Sequence, residues 1–248
     1  MDDILHLIVV HNIDIINSFE KNEKYKPFKH YKYVLVGKHE NDFSSEKIIQ
    51  CNKFSDNIEH NKNYLAYTGW YVIAKHLDIL IPNNFKYVFL LEYDVCLNKP
   101  DKLDYIYENV YKNNRKLYGI SHMSLDYIVK SDIHNSILLN YLRDKQIKEL
   151  RTFKNKLCLA TNNIIFERGF LVDFFNNSFT LDFLKYLNND IMSGHNLERF
   201  LSVYCFINNV EYDIFCEEEI FYHDSLDSHN TQGRYNRYNQ FKIQNNIL

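Results

Sequence analysis

Apolar residues along this chain fall into short dense runs separated by polar stretches rich in Asn and Lys. Ile4 to Val10 is one such run, stopping at His11 and Asn12; it predicts a strand followed by a helix from Ile13 to Glu20. Tyr31 to Val36 predicts a second strand, closed by Gly37 and Lys38, and Lys47 to Gln50 a short third one within a polar stretch. Asn63 to Leu77 is apolar nearly all round, the pattern of a helix packed into the flank of a sheet. After a Pro-Asn-Asn turn at Pro82 to Asn84, Lys86 to Val95 (KYVFLLEYDV) reads as a strand buried on both faces.

The second part continues the alternation. Pro100 to Tyr111 predicts a helix with Pro100 in its first turn, and Lys116 to Ser121 a strand. Ser136 to Leu150 is amphipathic, with Ile137, Leu138, Tyr141 and Leu142 on one side. Leu157 to Phe166 predicts a strand interrupted by Thr161-Asn162-Asn163, then a helix through Phe175. From Asn196 to Asn208, Leu197, Phe200, Leu201, Tyr204 and Cys205 recur at helical spacing. Tyr212 to Tyr222 predicts a last strand before a polar tail. With no internal repeat or composition break, this order predicts a single-domain α/β, Rossmann-like fold: a mostly parallel sheet flanked by helices.

The run from Lys86 ends in two carboxylates, Glu92 and Asp94. Residues two apart on a strand project to the same side, so both acids are expected to point beyond the strand's carboxyl end, where open α/β sheets bind ligands. Paired acids need a counter-charge, and a divalent metal that carries a nucleotide-sugar diphosphate supplies one. The blander alternative has one acid capping a turn and the other meeting Lys99 or Lys102.

Composition trims the alternatives. Among 248 residues, 46% are hydrophobic and 25% charged, as in ordinary folded proteins. A net charge of −3 argues against nucleic acid as a partner. Only 6 Gly are present, and neither a Walker-type loop nor GxGxxG occurs. The 5 Cys are scattered without CxxC spacing and read as buried thiols. No segment reaches the roughly 18 apolar residues of a membrane span. The acidic start MDDILHLIVVHN is unlike a secretory signal, so a cytoplasmic location is expected.

The segments LHLIVVHN, NYLAYTGWYVIAKHLDILIPNNFKYVFLLEYDV and GHNLERFLSVYCFINN, followed by IFYHDSLDSH, resemble nucleotide-sugar glycosyltransferases of the GT-A fold, capsular-polysaccharide-type and related enzymes in particular. Glu92-Tyr93-Asp94 stands where these carry DxD, and ExD departs from it in its first acid. The resemblance runs over residues 4–229. It implies a nucleotide-sugar-binding half (1–100), an acceptor-side half (101–230) and a polar tail (231–248). It also implies Mn²⁺ or Mg²⁺ at Asp94 and Glu92, with a nucleoside-diphosphate sugar, a UDP-sugar above others, as donor.

Further roles follow from the resemblance, each beside a plainer one. His11 and Asn12 would border the base or ribose, or Asn12 caps the following helix. Lys38 would meet a phosphate or solvent. Thr68 and Lys75, on one side of the pre-motif helix, would border the donor, while Tyr64, Tyr67, Trp70 and Tyr71 fit the core better. Asn162 and Asn163 would bind a sugar hydroxyl or mark a ladder defect. Glu198, beside His195 and Arg199, would be the base of an inverting transfer, or simply suit a helix's first turn. His223, or else His229, would be a late metal ligand, and Arg234 and Arg237 a cover for the diphosphate. The activity implied is a hexosyltransferase passing sugar to a hydroxyl of a glycan or protein. The rivals are a nucleotidyltransferase or phosphotransferase, and an inactive GT-A-like carbohydrate-binding or interaction module.

Overall fold

The computed structural model describes residues 3–43, 45–93, 95–97, 100–124, 135–147, 157–215 and 221–223. Among them the chain runs β1 (Ile4–Val10), α1 (Ile13–Lys21), β2 (Tyr31–Leu35), β3 (Ile48–Gln50), α2 (Ala66–Lys75), α3 (Leu77–Leu80), β4 (Tyr87–Glu92) and β5 (Val95–Leu97). It continues with α4 (Leu103–Asn113), β6 (Leu117–Ser124), α5 (Ser136–Asp144), β7 (Leu157–Glu167), α6 (Arg168–Asn176), α7 (Ser178–Leu187), α8 (Ser193–Ile207), β8 (Tyr212–Ile214) and β9 (Phe221–His223).

Seven strands form the main sheet in the order β3-β2-β1-β4-β7-β6-β8. The pairs β3–β2, β2–β1, β1–β4 and β6–β8 are parallel, while β7 is antiparallel to both β4 and β6. The sheet is thus mostly parallel with one reversed strand, and helices cover it on both sides. On β4, Val88 and Leu90 enter a core with α2, α6 and α8, while Tyr87, Phe89 and Leu91 enter a second core with α1 and α4. Burial on both faces explains why the strand reads as a continuous apolar run; each large side chain so buried contributes on the order of 1.5–3 kcal/mol.

Two expectations are corrected at the sheet's ligand edge. The acidic strand does not continue to Val95: β4 ends at Glu92 and the chain turns at Tyr93. The expectation for residue 94 lies outside the described residues. The expected last strand divides in two. β8 joins the main sheet, whereas β9 pairs antiparallel with β5 in a separate ribbon, with His223 opposite Val95.

Helix α2 joins two parallel strands and runs back against them, so its N-terminus lies at their carboxyl ends. Gly69 brings it close: a Cβ there would lie 2.9 Å from the Val34 and Val36 side chains. Helix α8 precedes β8 and lies beside α2 at the same edge. A Cβ on Gly194 would fall 2.6 Å from Leu65 Cδ1 and 3.2 Å from the Asn63 carbonyl oxygen, so a side chain there would force the helix starts apart. Asn63 and Asn189 tie these starts further, with Nδ2 of Asn63 donating to the Asn189 carbonyl at 2.7 Å.

Candidate active site at the carboxyl edge of the sheet

The carboxyl ends of β1, β2 and β4 meet at one edge. Val36 N–H donates to the Val10 carbonyl at 2.8 Å, and the His11 and Tyr93 rings stand edge to face at 4.9 Å. His11 is exposed at the end of β1. Asn12, also exposed, caps α1, its Oδ1 accepting from Asp14 N–H at 2.9 Å. Lys38 is exposed just past Gly37.

Glu92 closes β4, half-buried. Its backbone N–H donates to Oδ1 of Asn163 at 3.1 Å. The buried Asn163 side chain thereby extends the β4–β7 ladder one step past its last register pair, Leu90 with Ile164. For Asn163, the buried amide oxygen finds a partner in the backbone. By strand alternation the Glu92 side chain follows Val88 and Leu90 toward α2 and α8.

On α8, Leu197, Phe200, Leu201, Tyr204 and Cys205 are all buried, as their spacing predicts. The helix, however, begins at Ser193 rather than Asn196, which moves Glu198 into its second turn. A first-turn dipole preference therefore does not explain this acid. Glu198 Oε2 accepts from Arg199 Nη1 at 2.9 Å, the side chains being 16% and 7% exposed. The same Nη1 donates to the His195 carbonyl at 2.7 Å.

The side chain joining these elements is Tyr67 of α2. It is fully buried, its ring 4.5 Å from that of Trp70, and its hydroxyl has no hydrogen-bond partner among the described residues. Burial pushes its pKa well above the ordinary value, the Glu198 and Glu92 carboxylates push the same way, and Arg199 opposes them. The buried Tyr67 hydroxyl thus feels the charges of Glu92 from β4 and of Glu198 and Arg199 from α8. The sequence offered Tyr67 only as core, and in burial it is core; its electrostatic neighbours are set by tertiary packing.

Other candidates lie apart from this group. Thr68 is buried and its hydroxyl donates to the Leu65 carbonyl at 2.9 Å, holding the first turn of α2. Leu65 itself, 52% exposed at φ +54°, is strained backbone at the rim of the edge. Lys75 is in the last turn of α2, bonded to Asn176 and over the Tyr71 ring, on the order of 10 Å of helix from Thr68. It lies toward the far edge of the sheet from Glu92.

Asp94, His229, Arg234 and Arg237 lie outside the described residues, as do the side chains of Asn162 and His223. Among the described residues no group of three or more His, Cys, Asp or Glu side chains could hold a metal ion. The backbone register does bring position 223 opposite position 95, next to the acidic motif in chain. The Glu92 carboxylate is an oxygen donor of the kind that suits Mn²⁺ or Mg²⁺. No described helix is long and apolar enough to cross a membrane, and the described Cys51, Cys158 and Cys205 are buried thiols.

No protein-family model and no curated protein sequence matches the chain. Among solved structures, the apo form of the bifunctional glycosyltransferase WbbM matches over 86% of this chain, at 14% identity and a TM-score of 0.51. The mannosyltransferase Ktr4p from S. cerevisiae matches over 79% of this chain, at 13% identity and a TM-score of 0.35, covering 62% of its own length. The first likeness shows a shared fold, the GT-A-type α/β fold of glycosyltransferases. The chain spans 44% of the length of WbbM.

Proposed function

We propose that this chain is a metal-dependent glycosyltransferase that passes a sugar from a nucleoside-diphosphate sugar, a UDP-sugar above others, to a hydroxyl of a glycan or protein. Fold alone hosts many chemistries. The observation that carries the reading is Glu92 at the end of β4, at the carboxyl edge of a sheet of the GT-A-type fold. In this reading the first half of the chain binds the donor, with His11, Asn12 and Lys38 along its nucleotide side, and the second half presents the acceptor.

Glu92, Asp94 and His223 would hold Mn²⁺ or Mg²⁺, which when bound neutralises charge on the departing nucleoside diphosphate. Glu198 accepts the proton of the acceptor hydroxyl, its carboxylate oriented by the Nη1 bond from Arg199. Half-burial keeps water from competing for that carboxylate, so the proton comes from the docked hydroxyl. A base in this role serves an inverting reaction.

A thermal-unfolding screen of nucleotide sugars with Mn²⁺ tests the proposal on the parent and on Asp94→Asn. Binding at a hundredfold excess over Kd stabilises the folded state by about 2.7 kcal/mol. The parent should respond to one class of nucleotide and the variant should not. An equal response of both to every nucleotide would refute the metal site.

A further inference from the structure

The chain on either side of the Glu92 carboxylate is held by side chains from two different elements. On one side the Glu92 N–H meets Asn163 of β7 at 3.1 Å. On the other, past the last register pair of β1 with β4 (Val9 with Glu92), two donors converge on the Tyr93 carbonyl. Lys24 Nζ donates to it at 3.0 Å and the Tyr25 hydroxyl at 3.1 Å, both from the loop that follows α1. Together they fill the two lone pairs of that oxygen. Both donors are themselves fixed. Tyr25 is 2% exposed; its ring stacks on Phe28 at 5.6 Å, and Phe28 stacks on His6 of β1 at 4.1 Å. Lys24 Nζ lies 3.9 Å over the Phe19 ring, and its N–H donates to the Phe19 carbonyl at 3.1 Å.

Water serves a carbonyl at a strand end nearly as well as a protein donor does, and ordering a lysine costs more side-chain entropy than ordering most residues. Two protein donors on one oxygen therefore set the direction of the backbone, beyond satisfying the carbonyl. We propose that Lys24 and Tyr25 are positioning residues for Glu92: by fixing the Tyr93 carbonyl while Asn163 fixes the Glu92 N–H, they hold the carboxylate in place for the cation that accompanies the nucleotide. The inference rests on the reading of Glu92 as a ligand of Mn²⁺ or Mg²⁺. Both side chains act through the backbone at the end of β4. Groups that orient a metal ligand in this way govern metal affinity although they do not touch the metal.

The test is equilibrium dialysis of UDP, or of the nucleoside diphosphate to which the parent responds in the thermal screen, at stepped Mn²⁺ concentrations. The readout is the Mn²⁺ concentration that half-saturates binding, with thermal unfolding measured alongside. The proteins are the parent, Tyr25→Phe, Lys24→Met, the double variant, Glu92→Gln and Tyr107→Phe. Phe keeps the ring and Met the stem, so only the donors are removed. Tyr107→Phe is the control: its hydroxyl bonds His6 Nε2 at 2.9 Å in the same core, on β1 rather than at the turn after β4. Each single variant leaves the carbonyl one donor and should raise the half-saturating Mn²⁺ about threefold. The double variant should raise it about tenfold. Tyr107→Phe should lose as much melting temperature as Tyr25→Phe and keep the parent's Mn²⁺ dependence.

Parental half-saturation for the double variant, beside a Glu92→Gln that has lost its Mn²⁺ dependence, overturns the inference alone. So does an equal rise for Tyr107→Phe, since Mn²⁺ binding would then follow the general stability of this core. Should the double variant fail to fold, Tyr25→Phe decides by the same two comparisons. Parental behaviour of Glu92→Gln, or no Mn²⁺-dependent binding of any nucleoside diphosphate, removes the metal reading and this inference with it.

Discussion

Arg168 and Arg199 sit at opposite edges of one sheet and are held in opposite ways. Arg168 opens α6 beside the start of β4, where its backbone N–H meets the Lys86 carbonyl. Its guanidinium spans the turn after α3, donating to the Ile81 and Pro82 carbonyls at 3.0 Å, to Asp78 at 2.8 Å and to Asn83 at 2.9 Å. The Asp78 partner is 88% exposed, so this arginine works as a multidentate clip and the ion pair itself adds little. Arg199 stands at the carboxyl edge with a carboxylate that is itself mostly buried. Removing both charges from water costs more than their attraction usually returns. An arrangement that is poor for stability yet sits at the ligand edge is what a site, rather than a scaffold, requires.

Breaking the Arg199 pair should have the largest effect. Arg199→Ala strands Glu198 in a half-buried place without its counter-charge, a change that costs about 3–5 kcal/mol for buried pairs. Urea unfolding would read this as a lowered midpoint at unchanged slope. Replacing both partners, Glu198→Leu with Arg199→Leu, should recover most of the loss while abolishing transfer. A cost under about 1 kcal/mol for Arg199→Ala would mean that the pair is solvent-screened, and the contrast with Arg168 would disappear.

Arg168→Ala comes next. It forfeits one guanidinium's bonds to two carbonyls and two side chains, for a loss of about 2 kcal/mol. The melting temperature should drop by about 4–8 °C on the scale of a domain this size. The response to nucleotide with Mn²⁺ should stay that of the parent, since this clip lies at the far edge. A lost nucleotide response would show that the two edges are coupled.

The contrast between the edges also marks what could be read from the chain. β1, β2 and β4 are legible because each is a run buried on both faces, a pattern carried by consecutive residues. The apolar stripe of α8 is legible for the same reason, although its start is not: Ser193-Gly194-His195 has no apolar period and no capping bond marks it. Helix α7 went unread, because its Phe and Leu residues continue the Phe-rich pattern of α6 with only the Asn177 cap between them. The reversed direction of β7 and the β5–β9 ribbon are pairings between distant segments, to which local spacing is blind. Of the site, Glu92 and Glu198 were legible as acids in significant places. That the charges of both act on Tyr67 was not, because it depends on how α2 and α8 pack together.

A third carboxylate sharpens the comparison with the smallest effect. Glu59 lies at the same edge as Glu198, its Oε2 accepting from the Gly37 N–H past the end of β2, but no cation is paired with it among the described residues. Its other oxygen is buried without a bond. Burial pushes its pKa from 4.5 up to about 7, with the Gly37 amide pulling the other way. Between those values the folded state holds a proton that the unfolded state has released. The contribution of Glu59 is therefore fully present below pH 4.5 and is lost as pH rises through about 7. Glu59→Gln keeps an acceptor for Gly37 and removes the charge. It should be more stable than the parent at pH 8 by about 1 kcal/mol, after allowance for the exposed part of the group, and equal to it at pH 4. Urea titrations of parent and variant across this range give the difference directly. A difference independent of pH would mean that Glu59 is solvated like a surface acid, and that a buried carboxylate at this edge does not need an arginine beside it.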